Sequence, residues 1–295
     1  MTLCQLATTL LLACTTLTAA ARADTNPSPQ QQALQAAWAA AGEALQQGDI
    51  TLGKEARLTL PEHTGFIPAR ESAALLSAMG NTPGDSLLGM IVPLGEAGWM
   101  LVASWHDTGY IKDEDARNWD VDDMLASLRE GTEAGNAHRR QLGVPEMEIV
   151  GWVQKPSYDS ASNRLVWALQ SRDKGRPDSP ENGINYNTYA LGRSGYISMN
   201  LVTEMQFIEA EKAVAHDLLD RLEFNDGHRY ADFNPATDKV AEYGLAALVG
   251  GVAAKKAGLF AVIAAFLAKF AKFFVIGAVA LFALLRKMAG KKDAA

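Results

Sequence analysis

The sequence predicts an α+β domain, in which helices pack on a mostly antiparallel sheet, followed by a C-terminal transmembrane helix. Three observations favour this class. Short apolar or alternating segments outnumber helical ones, and most connections between them are too short for parallel crossovers. A run of apolar residues at 259–285 is long enough to cross a bilayer as a helix. The 295 residues are therefore expected to comprise an exported domain and its membrane attachment.

The charge distribution separates the same two parts. Residues 24–254 contain 18 basic and 33 acidic side chains, whereas residues 255–295 contain 8 basic side chains and one acidic side chain. An acidic folded part repels phosphate, and the basic residues adjoin apolar runs, so nucleic acid is not expected as a partner. Hydrophobic residues make up 48% of the chain, which excludes a disordered protein.

Residues 1–23 have the pattern of a secretory signal peptide. A core rich in leucine and threonine is followed by an A-x-A cleavage sequence at 21–23. The alternative is lipoprotein processing at Cys14. Cleavage after Ala23 removes both cysteines, Cys4 and Cys14, so the mature chain is expected to lack disulfides, thiol nucleophiles and thiolate metal sites.

The exported part follows from local patterns. Residues 24–48 begin as a flexible stretch and continue as an alanine- and glutamine-rich run of helix formers, and residues 49–233 form the α+β domain. Strands are predicted at 50–52, 56–60, 87–93, 99–105, 147–153, 164–170, 186–191 and 196–202. A hairpin is expected across 192–195, and a second hairpin is expected to turn at 225–227.

Three helices are predicted inside the domain, at 70–79, 121–133 and 204–222. The closing order of hairpin, amphipathic helix and short strand resembles a PsbP/Mog1-type sandwich, and this resemblance implies a fold and no function. A further helix is expected to begin at Pro235, after an Asn234 N-cap, and to continue through a juxtamembrane segment at 234–258.

Residues 259–285 are predicted to cross the membrane once. Lys269 and Lys272 interrupt this run on one helix face, and both are expected to snorkel to the interface. A pore or partner-binding face is one alternative, and an interfacial helix at 255–272 is another. The basic tail at 286–295 is expected to stay cytoplasmic, which places the folded domain on the outer side of the membrane, in agreement with the signal peptide.

Small residues recur at every fourth position before the span, at Gly250, Ala254 and Gly258. This spacing lets another helix approach closely, and it indicates either self-association at the membrane or a hinge just outside the bilayer. A homo-oligomer or a protein partner is expected on this basis.

The search for catalytic patterns gives isolated candidates. The sequence contains no phosphate loop, H-E-x-x-H motif or dinucleotide fingerprint, and no cofactor or metal is expected. Acid-base candidates are Asp113 and Asp115 in an acidic segment, and His228 and Asp232 at the end of the domain. The favoured interpretation of the acidic segment is a solvated loop before a helix, because no register fits a calcium loop. The residues at 228–232 are expected to tie the domain to the membrane helix.

Aromatic and polar residues on neighbouring strands form a candidate ligand groove. Its members are Trp152, Tyr158, Trp167, Asn185 and Arg193. Aromatic residues at strand spacing are more often core residues, so packing inside the domain is the competing interpretation.

Several of these segments together resemble a family of membrane-anchored bacterial proteins grouped as domain of unknown function 2167. The similarity runs from about Gly48 to the membrane span and rests on Leu88-Gly89-Met90-Ile91, Gly109-Tyr110-Ile111-Lys112-Asp113-Glu114-Asp115-Ala116, Gly151-Trp152, Asn185-Tyr186-Asn187, Leu191-Gly192-Arg193 and Arg229-Tyr230-Ala231-Asp232-Phe233. The resemblance implies a signal peptide, a periplasmic domain and a C-terminal anchor. It implies no activity and no catalytic residue.

We therefore expect a non-enzymatic envelope protein whose acidic periplasmic domain binds a protein or ligand. The alternative is a membrane-tethered hydrolase that uses an acid-base pair from Asp113 and Asp115 or from His228 and Asp232. A channel or transport subunit built on the two intramembrane lysines is a third class.

Overall fold

A seven-stranded antiparallel sheet forms the centre of the domain in the computed structural model, which describes residues 28–141 and 143–250. The spatial order of its strands is β3-β4-β5-β9-β8-β7-β6, and a second sheet has the order β1-β2-β10. The strands are β1 (Asp49–Leu52), β2 (Ala56–Thr59), β3 (Thr64–Pro68), β4 (Leu87–Pro93), β5 (Met100–His106), β6 (Met147–Asp159), β7 (Arg164–Asp173), β8 (Gly183–Leu191), β9 (Tyr196–Glu204) and β10 (Leu222–Phe224).

Helices cover both faces of the large sheet. They are α1 (Pro29–Ala44), α2 (Ala69–Ala78), α3 (Val121–Gln141), α4 (Ile208–Asp220) and α5 (Ala246–Gly250), with short 3-10 helices at Glu114–Asn118 and Tyr230–Asp232. The prediction of an α+β fold with mostly antiparallel strands is confirmed. Among the described residues, no helix combines the length and the hydropathy that a membrane crossing requires.

Alternation along the strands produces two buried layers. One face of the large sheet packs against the small sheet and α4, around Leu101, Tyr186 and Ile197. The opposite face packs against α1 and α2 at one end and against α3 and α5 at the other. The starts of α3 and α5 lie near two of the family-like segments, because the Trp152 indole donates to the Val121 carbonyl and the Leu245 amide donates to Asp115.

Several sequence-based assignments differ from the structure. Strand β3 is not among the predicted strands, because it has four successive buried residues and lacks the alternation by which a strand is recognised. Strands β6, β7 and β8 are longer than predicted. Helix α4 begins at Ile208 rather than 204, because β9 extends to Glu204 and the Met205 amide donates to the Asn182 carbonyl at 2.8 Å. Helix α3 continues beyond residue 133 to Gln141.

Two expectations near the C-terminus are wrong. The chain turns at 225–227, but β10 pairs with β2, and Arg229 forms a bridge with Gly192, so no hairpin forms there. No helix begins at Pro235, because Asp238 and Val240 are held by earlier parts of the chain, and residues 235–245 form turns and an isolated bridge. The helix begins only at Ala246.

Several predicted features lie outside the described residues. These are the signal peptide with Cys4 and Cys14, the span at 259–285 with Lys269 and Lys272, the tail at 286–295, and two of the three small residues of the packing ridge, Ala254 and Gly258. The remaining member, Gly250, is the buried last residue of α5.

Candidate functional site

Residues 238–246 contact two earlier segments, 109–115 and 191–193, and we call this set of contacts the C-terminal dock. It joins the end of the described chain to the end of the large sheet where β8 turns into β9. Both earlier segments belong to the family-like motifs. The contacts made in the dock therefore indicate whether the side chains of those motifs are free for catalysis or are engaged in holding the chain together.

The first contact of the dock is a short parallel bridge between Tyr110 and Val240. The Tyr110 amide donates to the Lys239 carbonyl, and the Ala241 amide donates to the Tyr110 carbonyl, both at 2.8 Å. Gly109 makes this approach possible, because its φ of +92° suits glycine and a Cβ there would lie 2.7 Å from the Lys239 oxygen.

The second contact is a carboxylate cap on α5. Asp115 Oδ1 accepts from the Leu245 amide and Oδ2 accepts from the Ala246 amide, both at 3.1 Å. The first amides of a helix have no partner within the helix, so this side chain satisfies two groups that would otherwise remain unpaired. A Cβ at Gly244 would collide with the same carboxylate, which explains the glycine there.

The third contact is a bidentate ion pair. Arg193 Nε donates to Asp238 Oδ2 at 2.6 Å, and Nη2 donates to Oδ1 at 2.8 Å. The Asn234 amide and the Thr237 hydroxyl also donate to the Asp238 carboxylate. The hydrogen bonds from Arg193, followed by that from the Asn234 amide, hold the pKa of Asp238 below its usual range.

Stacked aromatic rings pack against the segment 109–111 of the dock. The Tyr110 ring stacks on Tyr230, with centroids 4.4 Å apart, and on Phe233, with centroids 3.8 Å apart. The Tyr230 hydroxyl donates to the Ile111 carbonyl at 2.8 Å. Burial raises the pKa of Tyr230, and the phenol donates this hydrogen bond in its protonated form.

The four acid-base candidates occupy separate positions in this arrangement. Asp113 accepts from the Tyr158 hydroxyl at 3.0 Å, and Asp115 caps α5. Asp232 accepts from the Arg229 amide at 3.0 Å, while the His228 carbonyl accepts from the Arg193 amide at 2.9 Å. Among the hydrogen bonds of residues 28–250, none joins one candidate side chain to another.

The five groove candidates divide into two groups. Tyr158 and Arg193 belong to the dock end, and burial together with the Asp113 hydrogen bond raises the pKa of Tyr158. Trp152 and Trp167 lie in the apolar layer near α3, with ring centroids 6.1 Å apart and perpendicular planes. The Trp152 indole donates to the Val121 carbonyl at 3.2 Å, and Trp167 is 6% exposed. Asn185 belongs to a polar stripe on the same sheet face.

This polar stripe crosses β5, β9 and β8, and sequence reasoning did not find it. His106 Nε2 lies 3.0 Å from Ser198 Oγ, and Asn200 Nδ2 donates to Asn185 Oδ1 at 3.2 Å. The His106 ring stacks on Tyr196 at 4.5 Å, and burial lowers the pKa of His106. These residues are far apart in the sequence and meet only because of the pairing register of the strands. The sequence therefore predicts the alternation of β9 but not the contacts between the three strands.

Within the described part of the chain, no three histidine, aspartate or glutamate side chains converge in a way that could hold a metal ion. The dock instead offers carboxylates that are already engaged by amides, hydroxyls and a guanidinium. Its geometry is that of a structural junction.

Comparisons with known proteins give a family and a distant likeness. The model of a family described as "Protein of unknown function (DUF2167)" matches residues 44–280. No curated protein matches. The solution structure of cyanobacterial PsbP (CyanoP) from Synechocystis sp. PCC 6803 is similar at 10% identity and a TM-score of 0.37, covering 62% of this chain and 93% of that chain. The Saccharomyces cerevisiae Ran-binding protein Mog1p is similar at 9% identity and a TM-score of 0.33, covering 64% and 100%.

Proposed function

Because this chain belongs to the DUF2167 family, whose function is unknown, we propose a function from its own residues: it is an envelope protein that binds a protein or ligand. In this proposal, residues 1–23 export the chain, residues 259–285 anchor it in the bacterial inner membrane, and the acidic domain lies in the periplasm. The domain acts by binding rather than by catalysis.

The observation that carries the proposal is the use of the motif residues in the C-terminal dock. Asp115 and Asp238 are each held by two or more donors, and Gly109 and Gly244 leave room for backbone and carboxylate contacts. A general acid or base needs an accessible proton and a reacting group within hydrogen-bond reach. The carboxylates of the dock are instead occupied by donors of the chain itself, and these contacts hold the segment 238–246 in a fixed position on the domain.

The sequence supports the membrane part of the proposal. The apolar run at 259–285 begins shortly after the docked helix α5, and the basic tail follows it. A dock next to an anchor keeps a binding surface at a set orientation to the membrane, which a flexible linker does not do. Lateral association through the small-residue ridge belongs to the same proposal.

Membrane fractionation and protease accessibility test the anchoring. Full-length protein with a C-terminal tag is expected in the inner-membrane fraction, and protease added to spheroplasts is expected to remove the domain while sparing the tag. A chain released by salt alone, or a domain protected from protease until the cells are lysed, would refute this topology.

Cross-linking tests lateral association. Ala254→Leu and Gly258→Leu are better probes than a change at Gly250, because Gly250 is buried in the domain and its substitution would also disturb α5. We expect fewer cross-linked dimers in these variants, with the domain's melting temperature unchanged. Equal dimer yields would remove lateral association from the proposal.

A further inference from the structure

A polar pocket lies beside the C-terminal dock, at the edge of the small sheet. Its volume is about 610 Å³, and residues of β2, β10, the β6–β7 turn and the segment 225–230 line it. Binding sites for small ligands have volumes of roughly 300–1,000 Å³. The pocket therefore has the size of a ligand site, and it adjoins Tyr230, whose hydroxyl holds the dock.

The pocket has a small apolar surface. Phe224 and Tyr230 are half-buried and offer hydrocarbon to an occupant, while Leu191 is buried and contributes only to the wall.

Two arginine–carboxylate pairs also line the pocket. They are Arg57 with Glu223 and Arg229 with Asp226, and the two arginine side chains are 66% and 58% exposed. A ligand with an apolar group beside an anionic group fits this composition when its anion replaces the two carboxylates on the arginines.

The two arginines are held by weak, exposed partners. Arg57 Nε and Nη2 both donate to a single oxygen of Glu223, at 3.2 and 2.6 Å, and Arg229 pairs with Asp226, which is 91% exposed. Exposed ion pairs contribute little to stability, so an incoming anion competes with them at low cost. A guanidinium fork binds both oxygens of a carboxylate best, and Arg57 does not use that arrangement with Glu223.

The net negative charge of the domain favours a ligand with one negative charge over a polyanion. Residues 24–254 carry 33 acidic and only 18 basic side chains, so a polyanion is repelled by the domain as a whole. A ligand with a single carboxylate is repelled less. Peptide amides also match the pocket, because Ser162, Asn163 and Asn225 line it with hydrogen-bonding groups.

Part of the pocket wall is fixed before any ligand arrives. Asn163 has a φ of +56°, its carbonyl accepts from the Leu191 amide at 3.0 Å, and its side chain accepts from Tyr158. Asn225 is held through its side-chain donation to the Lys54 carbonyl at 2.9 Å. A preformed wall lowers the entropy that binding would otherwise lose.

We propose that this pocket binds the C-terminal carboxylate of a peptide whose last side chain is apolar. The inference rests on the proposed binding function and names its ligand class. Arg229 and Arg57 bind the carboxylate, and the surface of Phe224 and Tyr230 receives the side chain.

Calorimetric titration of the detergent-solubilised full-length protein tests this assignment. The probe is acetyl-Ala-Ala-Leu with a free carboxylate, and the matched probe is the same peptide with a C-terminal amide. We expect the acid to bind about tenfold more tightly than the amide, since a charge-assisted hydrogen bond is lost in the amide. Equal binding of the two peptides, or no binding of either, would overturn the proposal.

Three variants locate the effect. Arg229→Gln is expected to abolish the preference for the acid, whereas Arg221→Gln, which removes an exposed arginine of a similar ion pair outside the pocket, is expected to retain it. Glu223→Gln is expected to strengthen binding, because it frees Arg57 from its intrachain partner. A preference that survives in Arg229→Gln with an unchanged melting curve would contradict the assignment.

The outcome is separable from that of the proposed function. A chain that fails the membrane fractionation can still discriminate the two peptides, since the titration needs only the folded protein. If the protein is anchored as proposed but does not distinguish the two peptides, the membrane topology stands and the assignment of the pocket to a peptide carboxylate is wrong.

Discussion

Arg193 and Asp238 form a two-bond ion pair that connects the β8–β9 turn to the segment leading out of the domain. The two residues are 45 positions apart, and the Asp238 carboxylate also accepts from the Asn234 amide. This pair is the point at which the last part of the described chain becomes fixed to the sheet. It accounts for the turns at 235–245, where the sequence favours a helix start.

Asp238→Asn should loosen the C-terminal dock. The neutral side chain keeps the shape of aspartate but loses the charge that Arg193 pairs with, so residues 234–245 should be cleaved faster in limited proteolysis. Asp217→Asn is the matched control, because Asp217 forms an exposed ion pair with Arg221 on α4. Equal cleavage rates in the two variants would mean that the pair does not hold the segment.

The same pair sets a pH limit for the dock. The pKa of Asp238 is lowered in the folded state, so its contribution to stability is present above the unfolded value of about 3.9 and is lost as the pH falls through the folded value. The contacts of the dock should therefore persist at neutral and mildly acidic pH. Proteolysis at 234–245 that rises already between pH 7 and pH 5 would argue for another controlling group.

Asp115→Ala should lower the free energy of unfolding by about 1 kcal/mol, the usual cost of removing a side-chain cap. The loss arises because the amides of Leu245 and Ala246 lose their acceptor. Asp85→Ala, in an exposed loop, is the control and should leave the unfolding midpoint unchanged. Denaturant unfolding of the two variants measures the difference.

Two glycine substitutions should have opposite effects. Gly109→Ala should destabilise the fold by more than about 1 kcal/mol, because its φ is +92° and the new Cβ would crowd the Lys239 carbonyl. Gly131→Ala, in the exposed interior of α3 with open space around it, should stabilise by roughly 0.5–1 kcal/mol through helix propensity. Thermal melts of both variants provide the comparison, and a shared sign would contradict this account.

His106 should make stability depend on pH in the weakly acidic range. Its pKa is lowered by burial, so the unfolded chain binds more protons than the folded one, and stability should fall as the pH drops below about 6.5. His106→Gln should flatten that part of the profile, whereas His138→Gln, at an exposed position on α3, should not. An unchanged slope in His106→Gln would show that another group is responsible.

The predictable parts of the fold are those with a local pattern. Strands with alternation, such as β9, and helices with regular apolar spacing, such as α4, could be identified within a few residues. Strand β3 could not, because it is buried on both faces, and the helix start at Pro235 was wrong because a distant arginine captures Asp238. Tertiary contacts outweigh local propensity at both places.

The candidate site shows the same limit. Sequence patterns singled out Asp113, Asp115, His228 and Asp232 as polar groups, and one interpretation had residues 228–232 tie the domain to the membrane helix, which lies outside the described residues. The partners of these groups are 130 residues away in the case of Asp115 and Leu245, so the cap cannot be read from spacing. The polar stripe around His106 depends on strand register and was missed for the same reason.

Hydrogen exchange at the start of α5 tests the central claim most directly, namely that the motif carboxylate of Asp115 fastens the C-terminal segment instead of catalysing a reaction. In the full-length protein, the amides of Leu245 and Ala246 should be protected, and in Asp115→Ala they should exchange faster, while Asp85→Ala should match the unmodified protein. Unchanged protection in Asp115→Ala, together with loss of a hydrolytic activity, would contradict the account.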